Sequence, residues 1–253
     1  MKTPAGRPPL RPAAATPRHG LARVLSKLGV CSRSQAESAI RDGRVMVNGR
    51  VERNPERPSD AAREKILLDG QPIAAAVKRY IAINKPRGIV VSAADERGRD
   101  TIYALLGEAG LPWIGPVGRL DKASEGLLLL SNDTVWAAGI TDPAGQLEKT
   151  YHVQVAGLPD AATLAAMTTG IVDGGEPLAA RRATLLRHGD RNAWLEVVLD
   201  EGRNRHIRRL LDALGYQTLR LLRVSIGPLA LGTLAKGAWR ELSADEVAAL
   251  RQP

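Results

Sequence analysis

A carboxylate between a turn and an apolar strand is the feature of this sequence most suited to covalent chemistry. Asp121 follows the turn residues Gly118 and Arg119, and the run GLLLLSND at 126–133 comes soon after it. A carboxylate held on a rigid element in this way can act as a nucleophile. A lone Asp beside a turn is more often a turn cap, so the assignment depends on the surrounding residues.

Residue types and spacing argue against most other catalytic sites. The chain has one cysteine, Cys31, and four histidines that lie far apart in sequence, so we expect no metal site. The glycine motifs that hold nucleotide phosphates are absent, and so is the G-x-S-x-G nucleophile elbow. We therefore expect no cofactor, and chemistry carried by carboxylate, tyrosine and Arg or Lys side chains.

The charge balance points to a polyanionic partner. The formal net charge is +9, and the arginines run through the whole chain rather than along one amphipathic helix, which favours nucleic acid over a membrane surface. The alternative is that a genome with a high GC content encodes an Arg-rich chain. No apolar run reaches the roughly 18 residues of a membrane span, and one cysteine suits a reducing compartment. We expect a cytoplasmic protein.

The pattern along the chain predicts an α+β fold in separate regions. We expect a disordered basic tail at 1–18, a small basic domain at 19–66, a linker at 67–77 and a larger domain at 78–250. In the larger domain strands outnumber helices without alternating strictly with them, which favours a mostly antiparallel, mixed sheet. The predicted strands lie at 80–83, 88–91, 126–133, 149–157, 192–202, 218–226 and 238–242. The predicted helices lie at 100–107, 160–170 and 203–215 and after Ser243.

The small domain reads as two helices and a hairpin. Leu21, Leu25 and Leu28 share one helix face. Ser34 and Glu37 have the S-x-x-E spacing of a capping box for the second helix. The alternating run VMVNGRV at 45–51 turns at Asn48-Gly49, which predicts a hairpin.

Residues 20–52 resemble the small RNA-binding module first known from ribosomal protein S-four. The matching pattern is L-x-x-x-G-x-x-S-R, then a second helix, then G-x-V-x-V-N-G. The resemblance implies that Ser32, Arg33, Arg41 and Arg44 lie near bound RNA. An ordinary solvated basic face is the alternative.

The segment around Asp121, GRLDKASEGLLLLSND at 118–133, resembles the active-site signature of the RsuA-type pseudouridine synthases. The stretches INKPRG, LEKTYHVQV and DEGRNRHIRRLLDALG resemble further motifs of that family in the same order. With the N-terminal module, the resemblance covers about residues 19–250. It implies a pseudouridine synthase catalytic domain with an N-terminal RNA-binding domain, acting without a cofactor on ribosomal RNA.

The resemblance also implies roles for individual residues. Asp121 would be the catalytic carboxylate, Tyr151 would stack on a flipped uridine, and Arg208 would orient Asp121 and favour its ionised form. Leu221 or Leu222 would pack against the flipped ring. The residues expected to contact RNA around the site are Lys85, Arg119, Lys149, Arg203, Arg205 and Arg209.

The sequence departs from the family pattern at three places and leaves alternatives open. Thr134, His206 and Leu210 replace the usual Gly, Gln and Met. The expected substrate is large-subunit ribosomal RNA, free or in an assembling subunit, with small-subunit RNA as the alternative; a monomer is expected. The rivals are a non-catalytic RNA-binding assembly factor and an enzyme that cleaves the glycosidic bond using Asp121 with Glu125.

Overall fold

The chain folds into two units that divide between Ala75 and Ala76. The computed structural model describes residues 19–92, 100–107, 110–142, 145 and 147–251. The basic tail expected at 1–18 lies outside the described residues. No helix within the described ranges is long and apolar enough to cross a membrane.

The first unit packs two helices on short strands. Its core contains Leu21, Leu25, Ile40, Val45 and Ile66, which are buried from solvent. The helices are α1 (Leu21–Lys27) and α2 (Arg33–Arg41). The strands are β1 (His19–Gly20), β2 (Val45–Val47), β3 (Arg50–Val51), β4 (Pro58–Ser59), β5 (Ile66–Leu68) and β6 (Gln71–Pro72).

The capping box of α2 lies two residues earlier than the sequence pattern indicated. The hydroxyl of Ser32 accepts a hydrogen bond from the Gln35 N–H at 3.1 Å, and the Gln35 side chain accepts one from the Ser32 N–H at 2.9 Å. Glutamine serves as well as glutamate at the third position of a capping box. The predicted pair Ser34 and Glu37 therefore lies inside the helix.

The first unit extends further along the chain than predicted. Strand β5 pairs with β2 and then with β6 through a turn at Asp69-Gly70, where both residues have positive φ. Asp-Gly is a favoured hairpin turn. Residues 67–72 therefore belong to the first sheet, and the expected linker at 67–77 is wrong over that stretch.

The second unit contains the remaining elements. The helices are α3 (Thr134–Thr141), α4 (Ala161–Thr169), α5 (His206–Ala213) and α6 (Ala244–Ala249), and a 3₁₀ helix spans Ile102–Leu105. The strands are β7 (Tyr80–Lys85), β8 (Gly115–Val117), β9 (Glu125–Ser131), β10 (Lys149–Ala156), β11 (Ile171–Asp173), β12 (Glu176–Leu178), β13 (Arg182–His188), β14 (Asn192–Leu199), β15 (Thr218–Ile226), β16 (Leu229–Ala230) and β17 (Trp239–Glu241).

One sheet forms the centre of this unit, in the order β13-β14-β10-β15-β9-β7-β17, with β8 on β9 and β16 on β15. The pairing of β15 with β9 is parallel and the other pairings are antiparallel. The mostly antiparallel mixed sheet predicted from the sequence is confirmed. Strands β11 and β12 form a separate hairpin.

Apolar residues cover both faces of the sheet. On one face Ile83, Leu128, Val153 and Leu195 belong to a core that also contains Leu210 and Leu211 of α5. On the other face Leu127 and Leu129 of β9 pack with Trp136 of α3 and Val247 of α6. Because β9 is buried on both faces, its sequence is a continuous apolar run.

The strand predicted at 88–91 is wrong. Gly88 has a φ of +97°, and its N–H donates to the Lys122 carbonyl at 2.8 Å. This bond turns the chain towards the loop of Asp121, and Val90 forms a single bridge with Thr101. The apolar residues Ile89 and Val91 pack on the core without forming a strand.

Candidate active site

Asp121 lies in the loop before β9, and a buried lysine holds its main chain. Lys85 at the end of β7 is 0% exposed. Its ammonium group donates to the carbonyls of Ser124 at 2.8 Å, Pro86 at 3.1 Å and Asp121 at 3.2 Å. The Ser124 N–H also donates to the Asp121 carbonyl at 2.9 Å. The loop from 121 to 124 is thus fixed from inside the protein.

The prediction that Lys85 contacts RNA is wrong. Three protein carbonyls use the three donors of its ammonium group, and no part of the side chain reaches solvent. Burial lowers the pKa of Lys85 to about 8, while the charges of Asp121 and Glu125 act in the opposite direction. Lys85 positions the loop instead.

The carboxylate of Asp121 is open towards a cavity. Among the described residues it has no hydrogen bond and no ion pair. Its negative charge acts to raise the pKa of two buried cations, Lys85 and Arg208, so it lies near both of them. A carboxylate in this setting is free to approach a substrate atom.

Arg208 of α5 lies beside the same loop. It is 7% exposed, and its Nη2 donates to the Ala123 carbonyl at 3.1 Å. Its Nε is buried without a hydrogen-bond partner in the described part of the chain, where no ion pair within 4.0 Å joins it to Asp121. Burial lowers the pKa of Arg208, nearby Arg205 adds to this effect, and Asp121 opposes it. Arg208 therefore contacts the loop of Asp121 through Ala123 and keeps a donor unused.

The cavity has a volume of about 350 Å³ and brings together the three residues expected to carry the chemistry, Asp121, Tyr151 and Arg208. Tyr151 packs in the core and also lines the cavity, with 9% of its surface exposed. Leu221 lines the cavity and Leu222 does not. Of the two leucines left open by the sequence, Leu221 is therefore the one placed to pack against a ring.

The cations around the cavity that are expected to contact RNA differ in whether a carboxylate already pairs with them. Arg119 and Arg205 are exposed and have no carboxylate partner among the described residues. Arg203 is held by Glu201 at 2.7 Å and Glu176 at 3.3 Å. Lys149 lines the cavity, and burial, with Arg223 as a second cause, lowers its pKa.

The prediction that Arg209 binds a phosphate is wrong for this structure. Its guanidinium donates to the Asp173 and Glu176 carboxylates, each at 2.5 Å, and to the Asp173 carbonyl at 2.9 Å. It does not line the cavity. Arg209 fastens the β11-β12 hairpin to α5, a contact that sequence spacing alone does not reveal.

Arg223 is a cavity residue that the sequence analysis missed. It is 6% exposed, its Nε donates to the Leu127 carbonyl at 2.7 Å, and its Nη2 has no partner among the described residues. The two-residue alternation of a strand places Arg223 on the same side of β15 as Leu221. This alternation could have predicted from the sequence that Arg223 shares the face of Leu221.

His206, where the family pattern has Gln, is part of the cavity wall. Its side chain is 2% exposed and its Nδ1 lies 3.7 Å from a Glu201 carboxylate oxygen. Burial lowers the pKa of His206, although Glu201 opposes the shift. Both ring nitrogens are buried without a hydrogen-bond partner among the described residues.

Glu125 lies outside the cavity despite following Asp121 so closely in sequence. Its side chain is 4% exposed, and its two oxygens accept from Arg220 at 2.9 Å and Lys236 at 3.0 Å. These cations keep the pKa of Glu125 below its usual value although burial acts to raise it. Glu125 is thus a structural ion-pair residue.

In the first unit the arginines expected near RNA are exposed and paired with carboxylates. Arg33 pairs with Glu37 at 3.3 Å and Glu56 at 3.2 Å, and Arg41 pairs with Glu37 at 3.4 Å. Both arms of the Arg44 guanidinium bind Asp69. Arg23 and Arg50 are exposed and have no carboxylate partner in the described part of the chain. Phosphates could reach these last two without displacing an acid.

No cluster of three or more His, Cys, Asp or Glu side chains in the described ranges is placed to hold a metal ion. The groups that line the cavity are instead carboxylates, a phenol, lysine and arginines. This set suits general acid-base and nucleophilic chemistry on an anionic substrate.

Comparison with known proteins identifies the family of the chain. The RNA pseudouridylate synthase family matches residues 79–213, and the S4 domain family matches residues 20–58. An RNA pseudouridine synthase from Aquifex aeolicus is 38% identical over 90% of this chain and 92% of that protein. The ribosomal large subunit pseudouridine synthase B of Escherichia coli K12 is 36% identical over 92% of this chain and 82% of that protein.

A solved structure gives the same result for the fold. The crystal structure of a pseudouridylate synthase superimposes with a TM-score of 0.65 at 30% identity, covering 92% of this chain and 99% of that one. The chain therefore belongs to the RNA pseudouridylate synthase family and is an enzyme that isomerises uridine in RNA to pseudouridine.

Proposed function

We propose that this enzyme isomerises a uridine of large-subunit ribosomal RNA, with Asp121 as its catalytic carboxylate. The observation that carries the proposal is the convergence of Asp121, Tyr151 and Arg208 on one cavity. The large-subunit substrate is supported by the Escherichia coli relative, whose name specifies that subunit. The net charge of +9 suits a ribosomal RNA partner, free or in an assembling subunit.

The reaction breaks the bond between uracil N1 and the sugar C1′ and forms a bond from C5 to C1′. The proton on C5 leaves and N1 gains a proton, so the mass of the RNA does not change. Asp121 either attacks C1′ or removes the C2′ proton to give a glycal. Both routes need its carboxylate ionised, unengaged and close to the sugar, as its open position allows.

The surrounding residues have separate tasks in this proposal. The target base leaves its stack to reach the cavity, where Tyr151 and Leu221 supply flat and apolar contacts. Arg208 holds the loop through Ala123, and its unused Nε donor turns to Asp121 or to a substrate oxygen. Arg119 and Arg205 receive phosphates beside the cavity.

The structure argues against the two-carboxylate glycosidase. That reaction needs an acid and a base on either side of the scissile bond. Glu125 is outside the cavity and both its oxygens are held by cations. Asp121 therefore acts without Glu125 as a second carboxylate.

Tritium release from ribosomal RNA labelled at uridine C5 tests the proposal, with the parent and Asp121→Asn compared. We expect release by the parent and at least a 1000-fold lower rate for Asp121→Asn, an order of magnitude typical for loss of a catalytic nucleophile. RNA affinity should be retained. Asp245→Asn, an exposed carboxylate on α6 that does not line the cavity, is the matched control and should release tritium at the parental rate.

Other outcomes would contradict the proposal in distinct ways. Release of free uracil would identify a glycosidase. Binding with no release from free RNA or assembling subunits would favour an RNA-binding assembly factor. Release confined to small-subunit RNA would move the substrate to that subunit, and parental release by Asp121→Asn would remove Asp121 from the chemistry.

A further inference from the structure

The strand that carries Tyr151 into the cavity belongs to a four-strand region whose second face is exposed and polar. In β10 the buried residues Tyr151, Val153 and Val155 point into the core, and Gln154 points the other way. In β14 Trp194 lies between the buried residues Ala193 and Leu195 and therefore shares the face of Gln154. The chemistry described above does not use this face.

Four side chains form one row across that face. Arg187 of β13 is paired in register with Trp194, Trp194 with Gln154, and Gln154 with Arg220 of β15. The guanidinium carbons of Arg187 and Arg220 lie 5.0 Å and 5.5 Å from the indole centroid. The indole thus stacks with two cations, an arrangement that limits the freedom of both guanidinium groups.

The cations of this face differ in whether an acid already neutralises them. Arg220 donates to Glu125, and Arg182 pairs with Glu196 at 3.2 Å. Arg187 and the nearby Arg191 are exposed and have no hydrogen-bond acceptor or carboxylate among the described residues. With Trp194 and His188 they line one shallow groove at the β13-β14 turn. Their positive charge is available to a partner.

The chemistry of this groove fits RNA phosphates. A guanidinium that stacks on an aromatic ring keeps its in-plane N–H donors free, and these donors match phosphate oxygens in pairs. Because the ring already restricts Arg187, binding orders less of the side chain. The groove is also lined by the neutral residues Gln154, Gly189 and Asn192 and by the carboxylate of Asp190, so its two arginines outnumber its one acid.

The position of the groove suits a part of the RNA outside the target site. β14 runs from Asn192 to Leu199, and Leu199 lines the catalytic cavity. Trp194 lies five residues earlier, about 17 Å along the strand at roughly 3.3 Å per residue. β13 is the edge strand of the sheet, so a long RNA can pass round it from one face to the other.

We propose that Arg187, Arg191 and Trp194 form a second RNA-binding surface, which holds phosphates of the substrate RNA beyond the segment that enters the cavity. The inference rests on the proposed ribosomal RNA substrate. Arg187 and Arg191 bind the phosphates, and Trp194 positions Arg187. A short RNA that fills only the cavity does not reach this surface.

The experiment compares full-length large-subunit ribosomal RNA with its shortest fragment that the parent still modifies. We expect Arg187→Gln/Arg191→Gln to lower kcat/KM for the full RNA about tenfold and to leave the fragment unchanged. The slope of log(kcat/KM) against log salt concentration should become shallower by roughly 1.4–1.8 for two lost phosphate contacts. Arg251→Gln, an exposed cation after α6, is the charge control.

Trp194→Leu keeps both cations and removes the ring. It should give a smaller loss of kcat/KM on the full RNA only, with Tm close to that of the parent.

Equal kcat/KM for parent and double variant on both RNAs would overturn the proposal. So would a loss shared by both RNAs with a lowered Tm, because the row would then only stabilise the sheet. A loss seen with ribosomal subunits but not with naked RNA would assign the groove to a ribosomal protein instead. If the parent releases no tritium from either RNA, the proposed function fails first, and the two failures remain distinct.

Discussion

At the scale of single residues, the site combines two buried cations that bind the main chain with one carboxylate that has no partner in the described part of the chain. Lys85 and Arg208 donate to main-chain carbonyls of the catalytic loop, and both are almost completely buried. The Asp121 carboxylate has no partner within the described residues. The cations therefore fix the position of the carboxylate without occupying its oxygens, which preorganises the site.

Replacing Lys85 by Met should weaken both stability and catalysis. The buried carbonyls of Ser124 and Pro86 would lose their donor, and an unsatisfied buried polar group costs about 1–3 kcal/mol. We expect the free energy of unfolding to fall by about 2 kcal/mol or more at pH 7, and kcat to fall because the loop is no longer held. Urea denaturation and tritium release measure the two effects.

The same variant gives a pH test. The pKa of Lys85 in the folded chain is about 8, below its ordinary value of 10.5, so between these values the unfolded chain binds a proton that the folded chain has released. Stability of the parent relative to Lys85→Met should then rise with pH in this window, by at most about 1.4 kcal/mol per pH unit. Lys122→Met, an exposed lysine in the same loop, controls for the removal of a positive charge there. A parent-to-Met difference that is constant from pH 8 to 10.5 would contradict the assignment.

The sequence could predict a site residue where that residue belongs to a local sequence motif. The resemblance to family motifs assigned Asp121 and Tyr151 to one site, and in the structure both residues line one cavity. The hydrogen-bond partners of Lys85 and Arg209 were not predictable, because they lie far away along the chain. Lys85 donates to carbonyls of the 121–124 loop, and Arg209 donates to Asp173 and Glu176. A basic side chain in a motif does not reveal which acceptor it meets.

At the scale of elements, the junction of β9 and β15 carries the catalytic loop into the sheet. The two strands pair in parallel at Leu222 with Glu125 and Arg223 with Gly126. Gly126 has a φ of +104°, and a Cβ there would lie 2.3 Å from the Arg223 carbonyl oxygen. Only glycine permits this close approach of two backbones. The paired residues Glu125 and Gly126 follow Asp121 by four and five positions.

Gly126→Ala should therefore be severely destabilising. We expect a loss of more than about 3 kcal/mol, because backbone atoms of β15 must shift as well as the φ value of residue 126. Gly139→Ala is the matched control, since a Cβ in the middle of α3 meets no atom within 4 Å. It should stabilise by about 0.5–1 kcal/mol through helix propensity. Urea denaturation compares the two, and similar free energies of unfolding would show that the strand junction tolerates a side chain.

Two arginines at the start of α5, Arg205 just before the helix and Arg209 within it, look alike in sequence and differ in structure. Arg205 is exposed beside the cavity without an acid partner among the described residues, whereas Arg209 is bound by Asp173 and Glu176. Arg205→Gln should make the salt dependence of RNA binding shallower by about 0.7–0.9 in log-log slope. Arg209→Gln should leave the slope unchanged and lower the free energy of unfolding, because the Asp173 and Glu176 carboxylates lose their partner. Filter binding at several salt concentrations checks both, and an equal change in slope would mean that Arg209 leaves its carboxylates to bind RNA.

At the scale of the whole molecule, the two units divide the work of recognition and catalysis. The core of the first unit consists of its own residues, from Leu21 to Ile66, and the lining of the catalytic cavity comes entirely from the second unit. The exposed cations Arg23 and Arg50 of the first unit are free for phosphates. We therefore expect the first unit to act as a tether that raises the local concentration of RNA at the second.

Removal of residues 1–75 should then separate affinity from chemistry. Residues 76–253 contain all of the cavity and two large apolar clusters, so we expect them to fold and to keep kcat on a short RNA within about threefold of the parent. On full-length ribosomal RNA, kcat/KM should fall about tenfold or more because a tethered binding site is lost. Arg23→Gln/Arg50→Gln in the full chain should raise KM and leave kcat unchanged, which separates the loss of cations from any effect of truncation. A truncated enzyme whose kcat drops equally on both RNAs would instead show that the first unit helps to assemble the active site, because a tether changes how often the substrate arrives and not how fast it reacts.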